Sequence, residues 1–247
     1  MHKCTKGVSP CKEQSNFVPF RPSINQVYNP DIMMAPELPY TIVLSLFVLT
    51  ISIITALFEI EVEGPHGWAT YLPTWRLDTA LFKRLLNGKS LTGYHLFFYG
   101  LLFLMFHFPL LFSGWSSALE FSILSCYFQF TMLWDLLWFI LNPYFGWKRY
   151  MKGNIWWFRS WFWLFPVDYY ISLALSACFA ALRGLSWHST RWFPSLPGPE
   201  QQLIFWAIDV AILAAFVAII ILFFQPKSLT HPLEREHDDQ SSSLINE

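Results

Sequence analysis

The sequence predicts an all-α, polytopic transmembrane bundle of about five spans, and three observations carry that expectation. The chain has 247 residues, of which 54% are hydrophobic and only 13% charged, about half the charged fraction of an average soluble domain. Aromatic residues make up 19%, including 13 Trp and 25 Phe, a composition suited to lipid contact. The third observation decides the class: about 20 consecutive apolar residues span a bilayer core of about 30 Å, and five runs reach that length.

The predicted spans are roughly 40–60, 93–113, 117–141, 162–183 and 203–224. Pro166 and Asp168 interrupt the start of the fourth. Residues 1–38 form a polar N-terminal tail without an apolar signal-peptide core, so the first span reads as an uncleaved anchor. Residues 39–225 are the membrane domain. Residues 226–247 form a polar, charged tail with the composition of a disordered segment.

Between spans one and two, Leu77, Leu81 and Leu85 recur at i, i+4 and i+8, with Arg76, Lys83 and Arg84 in other directions and Gly88 as a stop. This predicts an amphipathic interfacial helix. The segment 143–161 mixes Trp and Tyr with Lys148, Arg149, Lys152 and Arg159, the pattern of a headgroup region. Lys and Arg concentrate in the loops after spans one and three. Cytoplasmic loops carry that excess, which predicts an external N-terminus and a cytoplasmic C-terminus in a plasma or bacterial inner membrane. The net charge of −1 argues against a nucleic-acid partner. Cys126 and Cys178 read as packing residues, and Cys4 and Cys11, in the N-terminal tail, are expected either to form a disulfide if the tail is exported or to stay free, without a catalytic role.

Ionisable residues inside spans are costly and point to function. Here they are His95 and His107 in span two, Glu120 and Asp135 in span three, Asp168 in span four and Asp209 in span five. Spans two and three are joined by a few residues and must form an antiparallel hairpin. Residues at equal distance from its turn share a depth, which pairs His107 with Glu120 and His95 with Asp135. Helical phase limits this pairing. His95 to His107 is a net turn of about 120°, and Glu120 to Asp135 about 60°. Straight helices cannot present both pairs squarely, so one pair turns towards a third helix. The two levels lie about 18 Å apart, which excludes one dinuclear centre using all four residues.

The inner level is predicted to hold His95, Asp135, Asn142 and Asp168, with Lys148, Arg149 and Arg159 just beyond as headgroup contacts. The outer level is predicted to hold His107, Glu120 and Asp209, with Arg183 and His188 nearer the surface. Asn142-Pro143 ends span three, because a residue before Pro is pushed out of the α region. The alternation Glu59, Glu61, Glu63 reads as a solvated exit from span one, and His66 as an interfacial loop residue. No HExxH, CxxC, GxSxG or P-loop motif is present, no histidine boxes occur, and the expectation is that no helix carries an i, i+4 ligand pair.

Three functions compete on this sequence. One is a protein that handles a lipid or another amphiphile near the cytoplasmic face, with Asp135 and His95 as its base and proton carrier and Asp168 as orienter or ligand. A second is a proton-coupled transporter subunit. A third is a scaffold whose polar residues join helices, helped by small residues in span four (Ala174, Ser176, Ala177, Ala180, Ala181). The partners expected are the bilayer itself, an amphiphilic substrate and a second copy of the chain. No cofactor or metal is specified by any motif.

Overall fold

In the computed structural model, residues 30–151, 155, 158, 160–186 and 198–224 are described. The predicted C-terminal tail and residues 1–29 of the N-terminal one therefore lie outside the described residues, as do Lys152, Arg159 and His188, whereas residues 30–38 already belong to the first helix. Lys148 and Arg149 fall on a described helix, but their side chains lie outside the description.

The elements follow in chain order. Helix α1 covers Pro30–Glu63, with Leu38–Glu63 as its apolar stretch. A two-residue ladder then pairs β1 (Arg76–Leu77) with β2 (Leu91–Thr92). It brackets the short helix α2 (Ala80–Leu85). Thr79 caps α2 through its side chain, and the Gly88 N–H reaches back to the Lys83 carbonyl at 2.6 Å, a 6→1 closure typical of helix ends. The predicted interfacial helix is thus present but under two turns long, with Leu81 and Leu85 exposed.

Helices α3 (Gly93–His107) and α4 (Leu110–Ser113) together make the second apolar stretch. Helix α5 covers Ser117–Leu141, the bounds expected from the sequence. Asn142, with ψ 118, leaves the helix before Pro143. After the short α6 (Gly146–Tyr150), β3 (Trp161–Phe162) pairs with β4 (Phe165–Pro166). This ladder occupies the expected start of span four, so α7 runs only from Val167 to Leu185. The last helix, α8, covers Pro199–Phe223.

Four helical stretches are long and apolar enough to cross a membrane. Helix α7 is the fifth expected member. Its 19 residues extend about 28 Å, but Asp168 in its first turn and Arg183 in its last lower its apolar character. It nevertheless sits inside the bundle. Helix α5 packs along α1 and α7, α7 along α8, and α8 along α1, closing a four-helix ring. Burial identifies the centre: 67% of the apolar stretch of α5 is inside the bundle, against 11% for α3–α4. The outer face of α3 presents Phe97, Leu101 and Leu104 openly. An apolar face of this extent is expected where the surroundings are hydrocarbon.

Between lipid-solvated helices there is no hydrophobic drive, and packing with polar contacts holds the bundle. Ser176 supplies the main joint. Its hydroxyl donates to the Ser125 carbonyl at 2.9 Å and accepts from the Trp206 indole N–H at 2.9 Å, tying α7 to α5 and α8. Ser176 and Ala180 face inward as expected, whereas Ala174 faces outward. Close approach is enforced at Gly184, where a Cβ would lie 2.6 Å from the Pro199 backbone.

Candidate functional site

The carboxyl end of α1, the first turns of α3 and α7 and the last turns of α5 meet at one end of the bundle. There Glu59, Glu63, His95, Tyr99, Trp134, Asp135 and Trp138 surround a small chamber of about 30 Å³, roofed by Trp68. That volume holds one or two water-sized species.

Glu59 and Glu63 are the residues that sequence reasoning misplaced. Helix α1 does not end near residue 60 but continues to Glu63. Four residues along a helix turn a net 40°, whereas two turn about 200°. Glu59 and Glu63 therefore share the inward face, and Glu61 points outward. Glu59 is 7% exposed and the Glu63 side chain 3%, while Glu61 is exposed. The solvated-exit reading fails for the two outer members of the triplet. So does the expectation that no helix carries an i, i+4 ligand pair.

His95 meets Glu63, not Asp135. Its Nε2 lies 3.4 Å from Glu63 Oε1. This is the turn towards a third helix that the phase argument required. Thr92 positions the ring: its hydroxyl lies 2.6 Å from Nδ1 and also accepts the His95 backbone N–H at 3.2 Å, capping α3. Asp135 instead accepts the Tyr169 hydroxyl at 2.5 Å. The partner of Asp135 is thus a tyrosine on α7, which no search for ionisable pairs would find.

The roof is a stack. The Lys89 ammonium lies 3.6 Å above the Trp68 ring, and Trp68 lies 4.3 Å from the His95 ring at 23°. Trp68 and Ala69 both adopt left-handed φ, 51° and 49°, which costs roughly 1 kcal/mol or more at each non-glycine residue. Two contacts hold this loop in place. The Ala69 N–H donates to Glu63 Oε1 at 2.5 Å, and the Trp68 indole N–H donates to the Ser90 carbonyl at 3.1 Å. Lys89 lies outside the spans. Burial pulls its pKa down to about 8, against the opposing influence of Asp135 and Asp168.

Asn142, fully buried, ties the floor together. Its amide donates to the Gly64 carbonyl at 3.0 Å, and its Oδ1 accepts the Tyr144 N–H at 3.0 Å. Asp168 does not join the chamber as the sequence suggested. It is exposed and accepts from Asn87 at 3.0 Å, because the first turn of α7 turns it away from the side that carries Tyr169.

At the opposite end of the bundle, His107 Nε2 lies 3.2 Å from Glu120 Oε1, matching the hairpin arithmetic. Asp209 is not with them. It accepts from the Ser45 hydroxyl and lines a small cavity with Arg183 and Gln202 on the other side of α5. Arg183 donates to Gln202 at 2.6 Å. The outer level is therefore two separate polar groups. His66 stays in its loop, edge-on to Tyr71 at 4.3 Å.

A second cavity of about 310 Å³ lies between α5, α7 and α8. Leu133, Leu136, Leu173, Leu213 and Val217 line it, and Tyr169 forms part of its wall. Tyr169 thus borders an apolar cavity with its ring while its hydroxyl serves the polar chamber.

Comparison with protein-family models, curated proteins and solved structures finds no match for this chain.

Proposed function

We propose that this membrane protein holds an amphiphile, with its hydrocarbon chain in the cavity between α5, α7 and α8 and its polar end directed to the Glu59–Glu63–His95–Asp135 chamber. The observation that carries this reading is Tyr169, which belongs to the wall of one compartment and hydrogen-bonds inside the other. A volume of about 310 Å³ falls at the lower edge of small-molecule sites, which are mostly apolar with a few placed polar groups. The chemistry on offer at the polar end is proton transfer. Asp135 is the base, the Tyr169 hydroxyl its proton-bearing partner, and His95 a second carrier.

The same reading puts the chamber on the cytoplasmic side of a plasma or bacterial inner membrane, with the N-terminus outside. The basic loops after spans one and three support that orientation. Lys148, Arg149 and Arg159 follow Asn142 in sequence and would serve an anionic headgroup there.

Native mass spectrometry of the protein released from nanodiscs tests the reading. The wild type is expected to retain one acyl-chain lipid or fatty acid per chain. Val217→Trp, which fills the cavity, is expected to lose it, and the milder Ala214→Leu to weaken it. Equal retention by wild type and Val217→Trp, or none by wild type, sinks the proposal.

A further inference from the structure

The chamber contains a donor set that amphiphile binding does not require. One oxygen of Glu59, one of Glu63 and one nitrogen of His95 all lie within 4.8 Å of one another. Two of the three ligands come from successive turns of α1 and the third from α3, so rigid helices fix their spacing. We propose that Glu59, Glu63 and His95 bind a divalent first-row transition ion, Zn²⁺, Mn²⁺ or Fe²⁺, leaving at least one coordination position open to water.

Four features beyond the cluster support this. First, two of the three donors have an outer partner, as metal ligands generally do. The Thr92 hydroxyl engages His95 Nδ1, leaving Nε2 to face the carboxylates. The Ala69 N–H holds Glu63. The Trp134 indole lies beside Glu59. Second, that indole N–H is itself suited to a bound water. Trp134 is 1% exposed and lines the chamber, and among the described residues its Nε1 makes no hydrogen bond of good geometry. A water on the ion would accept from it. Third, three carboxyl groups share this chamber with one imidazole. Buried charges need compensation close at hand, and a dication placed between the two glutamates supplies it. Fourth, a volume of about 30 Å³ fits an ion with one water and little more.

The donor chemistry narrows the ion. Calcium and magnesium prefer all-oxygen shells, and an imidazole with two carboxylates suits zinc, manganese or iron. Among the described residues no cysteine lines the chamber, and Cys126 lies elsewhere on α5. Asp135 lines the chamber without belonging to the three-ligand group. It would face the ion's open position and accept a proton from water bound there. The inference is independent of the amphiphile reading: an ion can be present whether or not a hydrocarbon chain occupies the neighbouring cavity.

The test is elemental analysis of the full chain, purified in mild detergent without a His tag or chelators. One Zn, Mn or Fe per chain is expected. Glu59→Gln and His95→Gln are each expected to lose it, and His107→Gln, at the other end of the same helix, to keep it. Should both chamber variants fail to insert, the wild type alone still decides. After stripping with a chelator, its melting temperature should rise on adding Zn²⁺ and Co²⁺ should give a ligand-field spectrum. A wild type that carries no metal and takes up none of these ions overturns the proposal. So does metal retained at full occupancy in Glu59→Gln and His95→Gln.

Discussion

Helix α3 carries two His–Glu pairs, one near each end, and they differ in burial and in what surrounds them. His107 and Glu120 meet at 3.2 Å with side chains 15% and 24% exposed. They join two neighbouring helices across a short turn. His95 and Glu63 meet at 3.4 Å with side chains 5% and 3% exposed. They join elements separated by a strained loop, and two further carboxyl groups line the same chamber. The difference teaches that a His–carboxylate pair does not by itself mark a site. Both imidazoles are held through Nδ1, His95 by the Thr92 hydroxyl and His107 by the Phe103 carbonyl at 2.7 Å, so the mark is deeper burial, the Ala69 N–H on Glu63 and the further carboxyl groups that share the chamber.

The largest separation between the pairs should come from removing the carboxylate. Glu63→Ala leaves His95 buried without its partner and releases the Ala69 N–H that holds the roof. Leaving buried polar groups without their partners costs roughly 1 to 3 kcal/mol. Glu120→Ala removes a half-open pair worth less than about 1 kcal/mol. Thermal melts in one detergent should therefore show a clear drop for Glu63→Ala and little change for Glu120→Ala. Equal drops would mean that the chamber is ordinary helix packing.

The roof distinguishes the pairs by pH. Lys89 stacks on Trp68 above His95, and burial lowers its pKa to about 8 from 10.5. A lysine whose folded pKa is depressed binds fewer protons folded than unfolded between those values. Stability then rises as pH increases from about 8 to 10.5. The shift corresponds to about 3 kcal/mol before screening, and the part-open position of Lys89 reduces it to roughly 2 kcal/mol. Melting temperature in that window should rise for wild type relative to Lys89→Met. Parallel curves for the two proteins would show that Lys89 is solvated and the roof open.

Much of the bundle was legible in the sequence, and what was not has definite causes. Helix α5 ends at Leu141 because Asn142 precedes Pro143, a local rule that needs no tertiary information. The hairpin arithmetic located His107 opposite Glu120 but wrongly set His95 against Asp135, and helical phase said only that one of the two pairs had to turn towards a third helix. It could not say where, because the third helix was read as stopping before Glu63. A carboxylate scores as an exit from a span, yet α1 carries two of them inward at i and i+4. Tyr169 was invisible for another reason: a tyrosine in an apolar run reads as a packing residue, and only the antiparallel approach of α7 brings its hydroxyl to Asp135. Asp209 was assigned by depth alone, and depth does not say which side of α5 a residue faces. The two β ladders are two residues per strand, too short for any periodicity to register.

The smallest expected effect is also the most discriminating, because it holds stability constant and moves only the site. Thr92 and Ser116 are both N-cap residues: Thr92 caps α3, and Ser116 caps α5 by accepting the Leu119 N–H at 3.2 Å. Removing either cap costs about 1 kcal/mol, so Thr92→Val and Ser116→Ala should melt at similar temperatures below wild type. Their sites should diverge. Thr92→Val also deprives His95 Nδ1 of its partner, and loss of such an outer contact weakens a metal site by roughly 10- to 100-fold. Ser116 has no part in the chamber, and its variant should bind metal as the wild type does. A competition titration with a zinc-sensitive chelator compares the two directly. If Thr92→Val and Ser116→Ala hold the ion equally well, Thr92 is a helix cap and nothing more.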